Sequence, residues 1–156
     1  MKLSLEYLIN KYQKNCFLSA FSILQNADDA NDAVQETFIK YYSCDLDFEN
    51  EEHIKAWLIR VCVNRAKDMT RSFWRKNRTS LEQLENEIGF YESEEKWIFD
   101  EVMHLPEKYR IVIHLFYYED FSAKEIAEVL QINEANVRKR LSRGRAILKN
   151  NTEQSV

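Results

Sequence analysis

Two glycines and one proline, Gly89, Gly144 and Pro106, are all that punctuate a chain of 156 residues. Sandwiches, barrels and parallel α/β sheets are strung together by turns that draw on Gly for positive φ and Pro for fixed φ. So few of either makes such folds poor solutions for this sequence. The same scarcity excludes a Gly-rich phosphate loop, a dinucleotide fingerprint and a nucleophile elbow. What remains is an all-α fold, and the length suits one ordinary domain or two small ones.

No apolar stretch approaches the ~18–20 residues needed to cross a membrane, and Glu6, Asn10 and Lys11 break the N-terminal segment where a signal peptide would be apolar. The expected compartment is the cytoplasm. Cys16, Cys44 and Cys62 are odd in number and widely spaced, which suits core or incidental thiols better than disulfides or a zinc site. No metal and no cofactor are expected.

The net charge of −4 conceals segregation. Residues 57–78 carry seven basic groups (Arg60, Arg65, Lys67, Arg71, Arg75, Lys76 and Arg78) against Asp68 alone, a balance of +6. Residues 79–107 carry Lys96 against nine acids, and residues 108–149 return to +4. Two basic blocks separated by an acidic spacer suit two phosphate-contacting surfaces on one chain.

Apolar spacing predicts a helix from Leu5 to Leu24, a break at Asn26–Asp29, and a second helix through Phe38, Tyr41 and Tyr42. The polar stretch Ser43–Glu52 is expected as a loop. A long third helix is expected from about Glu51 to Arg75, with Ile54, Trp57, Leu58, Val61, Cys62 and Met69 on its apolar side. Periodicity fades over residues 76–96, where Ser80 and Gln83 could cap one short helix. The expected domains are therefore 1–76 and 96–150, with an acidic linker over 77–95 and a short tail over 151–156.

In the second unit a helix runs through Trp97, Ile98, Val102 and Met103, and Pro106 suits the first turn of the next. Ser122 and Glu125 form a capping box; Gln131-Ile132-Asn133 then makes a tight break with Ile132 buried and Asn133 as N-cap. The last helix turns Val137, Leu141 and Leu148 inward and leaves Arg138, Lys139, Ser142, Arg143 and Arg145 for other faces. That partition is what a DNA recognition helix needs: an apolar stripe for docking, and basic and polar groups for base edges and phosphates.

The stretches Leu105–Arg110, Phe116–Ser122, Glu125–Ala127 and Asn136–Arg143 resemble region 4 of bacterial extracytoplasmic-function sigma factors. Upstream, Asp32–Phe38 and Trp57–Asn64 resemble region 2 of the same family. The resemblance covers roughly residues 5 to 150. It implies a dissociable subunit that gives core RNA polymerase its promoter specificity, with no catalytic activity of its own.

Carried across, Asp32, Gln35 and Glu36 would meet the clamp helices of the β′ subunit. The loop at about Cys44–His53 would capture a flipped −10 base, with Phe48 as its aromatic and Asn64 on the helix below. Arg60, Arg65, Lys67 and Arg71 would follow phosphates there. Asn136, Arg138, Lys139, Ser142, Arg143 and Arg145 would read the −35 element, near a contact with the β flap. An inhibitory anti-sigma partner, often membrane-anchored, is also implied. The alternative is a helix-turn-helix regulator acting without polymerase.

Three positions depart from the family pattern. The loop DLDFENEE lacks the Arg-Gly often found there. Gln131 stands where Gly is common in the turn, and Gly144 where Ala is more usual in the recognition helix.

Overall fold

The structure is a computed structural model that describes residues 1–71 and 93–154. The chain divides into two compact units at Thr79/Ser80. The proposed cap at Ser80 and most of the acidic linker lie outside the described residues. Among the described residues there are helices and no strands.

Unit 1 is a bundle of α1 (Leu5–Leu24), α2 (Ala27–Ser43) and α3 (Glu51–Thr70), each packed against the other two. All three begin on side-chain caps. Ser4, Asn26 and Asn50 accept hydrogen bonds from the backbone N–H groups of Tyr7, Asp29 and His53, which satisfies donors that a helix start leaves orphaned. The break after α1 is made by Gln25 in the left-handed region (φ 50°), followed directly by Asn26.

Phe17 to Ile23 of α1 are buried without interruption, as a helix covered on every side must be. The hydroxyls inside this run turn back on the helix: Ser19 donates to the Asn15 carbonyl (2.8 Å) and Ser22 to the Ser19 carbonyl (2.6 Å). Cys16 and Cys62 are free, buried thiols, and Cys44 is free and half-buried.

α3 ends at Thr70, earlier than the expected Arg75. Its buried side is Ile54, Leu58, Ile59, Cys62, Val63 and Ala66, while Trp57, Val61 and Met69 are only half-buried. Ile59, Val63 and Ala66 escape a single-stripe reading because α3 faces two helices at once.

Unit 2 contains α4 (Ser93–Met103), α5 (Glu107–Tyr117), α6 (Ala123–Leu130) and α7 (Glu134–Gln154). Pro106 sits one position before the expected first turn, as the N-cap of α5. The Ser122/Glu125 capping box is present in both directions. Asn133 caps α7, its side-chain oxygen accepting from Asn136 N–H at 2.7 Å. Between them Gln131 takes φ 57°, the left-handed conformation that Gly adopts without penalty. Ile132 is half-buried rather than buried.

α7 docks on α5 and α6 through Val137 and Leu141, with Leu148 half-buried. At Gly144 α7 passes close to α5: a Cβ there would meet Ile113 Cγ1 at 3.0 Å and Tyr109 Cβ at 3.4 Å. The glycine that weakens the helix locally thus permits the helix to seat.

Candidate nucleic-acid and polymerase interfaces

Three solvent-facing strips emerge, one on each of α2, α3 and α7. On α2, burying Ala30, Ala33, Val34, Thr37, Phe38 and Tyr41 turns Asp32 and Gln35 outward and leaves Glu36 half-exposed. Helical spacing extends the strip to Ile39, 64% exposed, and Tyr42, 73% exposed. An acidic and amide start with an apolar end fits a partner helix better than it fits water. The sequence singles out the first three residues and not Ile39 and Tyr42, although their i+3 and i+4 spacing is readable.

On α3, Arg60, Asn64, Lys67 and Arg71 fall at intervals of four, three and four, so they share a face. Arg60, Asn64 and Arg71 are exposed, and Lys67 is half-buried. Burial holds the Lys67 ammonium below its ordinary range; the charge of Arg71 adds to this and Asp68 opposes it. A phosphate placed there would oppose that shift, since its negative charge offsets the repulsion from Arg71 and favours the charged ammonium. Arg71 also pairs with Asp68 at 3.6 Å. Arg65 lies off this face and is bound to Glu36 of α2. Two residues expected to serve different partners are therefore partners of each other.

Phe48 requires a correction. Expected as a stacking surface for a base, it is 2% exposed. Its ring packs against Tyr41 (5.8 Å between centroids), Trp57 (5.7 Å) and His53 (5.2 Å). A loop without Gly or Pro has to anchor itself with a side chain, and Phe48 is the largest apolar one between α2 and α3. On α3, an aromatic beside the loop that keeps some solvent access is Trp57, half-buried and three residues before Arg60 on the same face.

The loop, residues 44–50, is tied to the N-terminal segment at Cys44, Asp47 and Phe48. The Lys2 ammonium donates to the Cys44 carbonyl (2.5 Å) and the Tyr42 carbonyl (3.4 Å), and Tyr41 OH donates to the Leu3 carbonyl (2.8 Å). Phe48 N–H donates to the Met1 carbonyl (3.3 Å), while the Met1 amino group donates to the Phe48 carbonyl (2.9 Å) and pairs with Asp47.

At the other end of the loop, Glu51 accepts from Lys11 Nζ (2.5 Å), Tyr12 OH (2.5 Å) and Tyr7 OH (2.8 Å). Those bonds, Lys11 first, hold the Glu51 carboxyl down to about 2. Burial, followed by the bond to Glu51, pushes the Tyr12 phenol up to about 12.

On α7, Arg138, Lys139, Ser142 and Arg143 form one contiguous exposed patch. Arg138 is bound to Glu134 one turn earlier, which preorients its guanidinium along the helix. Arg145 donates to Tyr117 OH at 2.8 Å and so leans toward α5. Asn136 is half-buried, its backbone N–H donating to the Asn133 cap. Two residues of the matched stretches face inward instead. Arg110 is 5% exposed and donates to the Leu105 carbonyl (3.1 Å), and Glu119 is 4% exposed with an oxygen 3.4 Å from His114 Nε2.

Among the described residues, three packed helices with a basic strip, followed by a capped helix-turn-helix with an exposed basic patch, have the make-up of a two-domain DNA-directed transcription factor. Residues 8–78 match the family described as Sigma-70 region 2, and residues 96–148 match Sigma-70, region 4. The RNA polymerase sigma factor SigV of Bacillus subtilis is 31% identical over 147 residues, covering 90% of this chain and 86% of that protein. The ECF RNA polymerase sigma-E factor of Haemophilus influenzae is 31% identical, covering 96% and 87%.

Among solved structures, the fold is similar to the sigma factor RpoE in complex with the anti-sigma factor NepR from Bartonella quintana (TM-score 0.69, 19% identity, 93% of this chain and 94% of that one). It is also similar to CnrH in complex with the cytosolic domain of CnrY (TM-score 0.64, 25% identity, 97% and 89%). The chain belongs to the extracytoplasmic-function sigma factors of the sigma-70 superfamily.

Its function is that of the family: it binds core RNA polymerase and directs promoter recognition and initiation. It is not an enzyme, since phosphodiester synthesis belongs to the polymerase. A regulator acting without polymerase is not favoured, because such a protein has no need of region 2. No helix among the described residues is long and apolar enough to cross a membrane.

Proposed function

We propose a division of labour among the three strips. The α2 strip, Asp32, Gln35 and Glu36 with Ile39 and Tyr42, docks on the β′ clamp helices. Acidic groups there steer the encounter with basic partner residues, and the apolar end supplies desolvated contact. The α3 strip, Arg60, Asn64, Lys67 and Arg71, tracks the −10 element, with Arg65 positioned through Glu36 at its edge. Trp57 replaces Phe48 as the ring nearest an unstacked base, and Phe48 anchors the loop that closes over it. Arg138, Lys139, Ser142 and Arg143 read the −35 element in the major groove, flanked by Asn136 and Arg145.

In this reading the polymerase- and −10-binding domain is residues 1–76, the −35-binding domain is residues 96–150, and the acidic linker over 77–95 follows the RNA exit path. The chain works in the cytoplasm on promoters of a stress- or envelope-responsive regulon. Relatives held by anti-sigma factors support an inhibitory partner for this chain as well.

The observation that carries this reading is the α2 strip, because two large apolar side chains exposed beside carboxylates ask for a protein partner. Binding of the purified chain to bacterial core polymerase tests it. The wild type is expected to bind, and Ile39→Asp is expected to abolish binding while melting at the wild-type temperature. Undiminished binding by Ile39→Asp contradicts the assignment. A chain that ignores core polymerase yet shifts duplex DNA alone returns the regulator reading.

A further inference from the structure

The loop between α2 and α3 spans seven residues, 44–50, and contains neither Gly nor Pro. Ordering such a segment costs backbone freedom at every residue, and that cost falls on binding unless it is met beforehand. Here the N-terminal segment meets it at three places. At the front, Lys2 holds the carbonyls of Tyr42 and Cys44, which the end of α2 leaves without intrahelical donors. In the middle, the Met1 carbonyl takes the Phe48 N–H, which keeps that ring inserted against Tyr41, His53 and Trp57. At the back, Tyr7, Lys11 and Tyr12 converge on Glu51, the first residue of α3.

With Phe48 locked inward, the residues left outward are Asp45, Leu46, Asp47, Glu49 and the cap Asn50, Leu46 being 51% exposed. Carboxylates repel phosphates but accept hydrogen bonds from exocyclic base amines, so such a loop suits an exposed base and not a duplex backbone. Its value therefore depends on being held in one shape at one place.

We propose that residues 1–12 are a positioning device for the promoter-opening loop, with Lys2 as its chief positioning residue. The strap preorganises residues 44–50 so that capture of an unpaired −10 base offsets duplex opening. The proposal rests on the −10 role assigned to this loop under Proposed function.

The test compares wild type, Lys2→Ala and Lys2→Arg in full-length protein bound to core polymerase at saturating concentration. Run-off is measured from a duplex promoter and from the same promoter carrying a mismatched, pre-opened −10 segment. Removing the charged bonds of an exposed lysine should leave folding intact, and the melting temperature checks this. Lys2→Ala is expected to lower initiation from the duplex by about tenfold. It should recover on the pre-opened template and bind core polymerase as the wild type does, and Lys2→Arg should restore most of the loss.

Unchanged initiation from the duplex overturns the proposal. So does an equal loss on both templates, which marks a role in stability or assembly alone. Failure of the wild type on both templates instead brings down the −10 role itself, and the proposal with it.

Discussion

Glu51 is the residue on which one end of the loop hangs, and its three donors make it a sensitive reporter. Its carboxyl is held down to about 2 from an ordinary 4.5, so it binds a proton more weakly in the folded state than in the unfolded chain. The stabilisation is therefore complete above about 4.5 and is lost as pH falls through about 2. Titration of this carboxyl by NMR should show the low midpoint in wild type and a rise toward the ordinary value in Lys11→Ala, since Lys11 supplies the largest cause. A midpoint that ignores Lys11 contradicts the contact.

On α7 the residues separate by partner. Lys139 is exposed, whereas Arg145 is engaged by Tyr117 OH. Lys139→Ala should weaken binding to −35 duplexes of any sequence and reduce the salt slope by about one phosphate. Arg145→Ala should do less, and salt titrations of duplex affinity check both. The sequence makes Lys139 and Arg145 equally basic and equally eligible; only Tyr117, 28 residues away, distinguishes them.

At the scale of elements, local chemistry made most helix starts legible. The caps at Asn26, Ser122 and Asn133 need only a side-chain oxygen three residues before a free N–H, a purely local condition. What needs a third dimension was not legible. Gly144 reads as a weak point in a helix, yet α5 lies against it. Gly144→Ala gains about 1 kcal/mol of helix propensity but must displace buried Ile113, so a net loss of about 1 kcal/mol is expected in urea denaturation. Stabilisation by this substitution means α5 yields freely.

Gln131 is the opposite case, because the strained turn was readable and the structure has it at φ 57°. Gln131→Gly should stabilise the protein by about 1 kcal/mol, read as a higher urea midpoint at unchanged slope. No gain would mean that the greater freedom of glycine in the unfolded chain cancels the relieved strain.

Across the whole molecule, the order of blocks was the most legible property: an acidic start, a basic stripe, an acidic spacer and a basic helix-turn-helix. Charge and apolar period survive folding unchanged, so strips on α3 and α7 could be foreseen from Arg60, Lys67, Lys139 and Arg143. Pairings between distant segments could not. Neither the Glu36–Arg65 bond nor the inward turn of Phe48 follows from spacing, because each depends on how α1, α2 and α3 pack and on where the first residues of the chain lie. Phe48 shows the general difficulty, since an aromatic in a polar loop is equally suited to anchoring the loop and to stacking on a ligand.

The two units act together to direct polymerase to a promoter. In vitro transcription with purified chain, bacterial core RNA polymerase and a library of random promoter-like templates addresses this most directly. Initiated transcripts that vanish without the chain are expected, from templates sharing a −35 and a −10 motif at fixed spacing. Transcripts that do not depend on the chain, or enriched templates sharing only one motif, would contradict it.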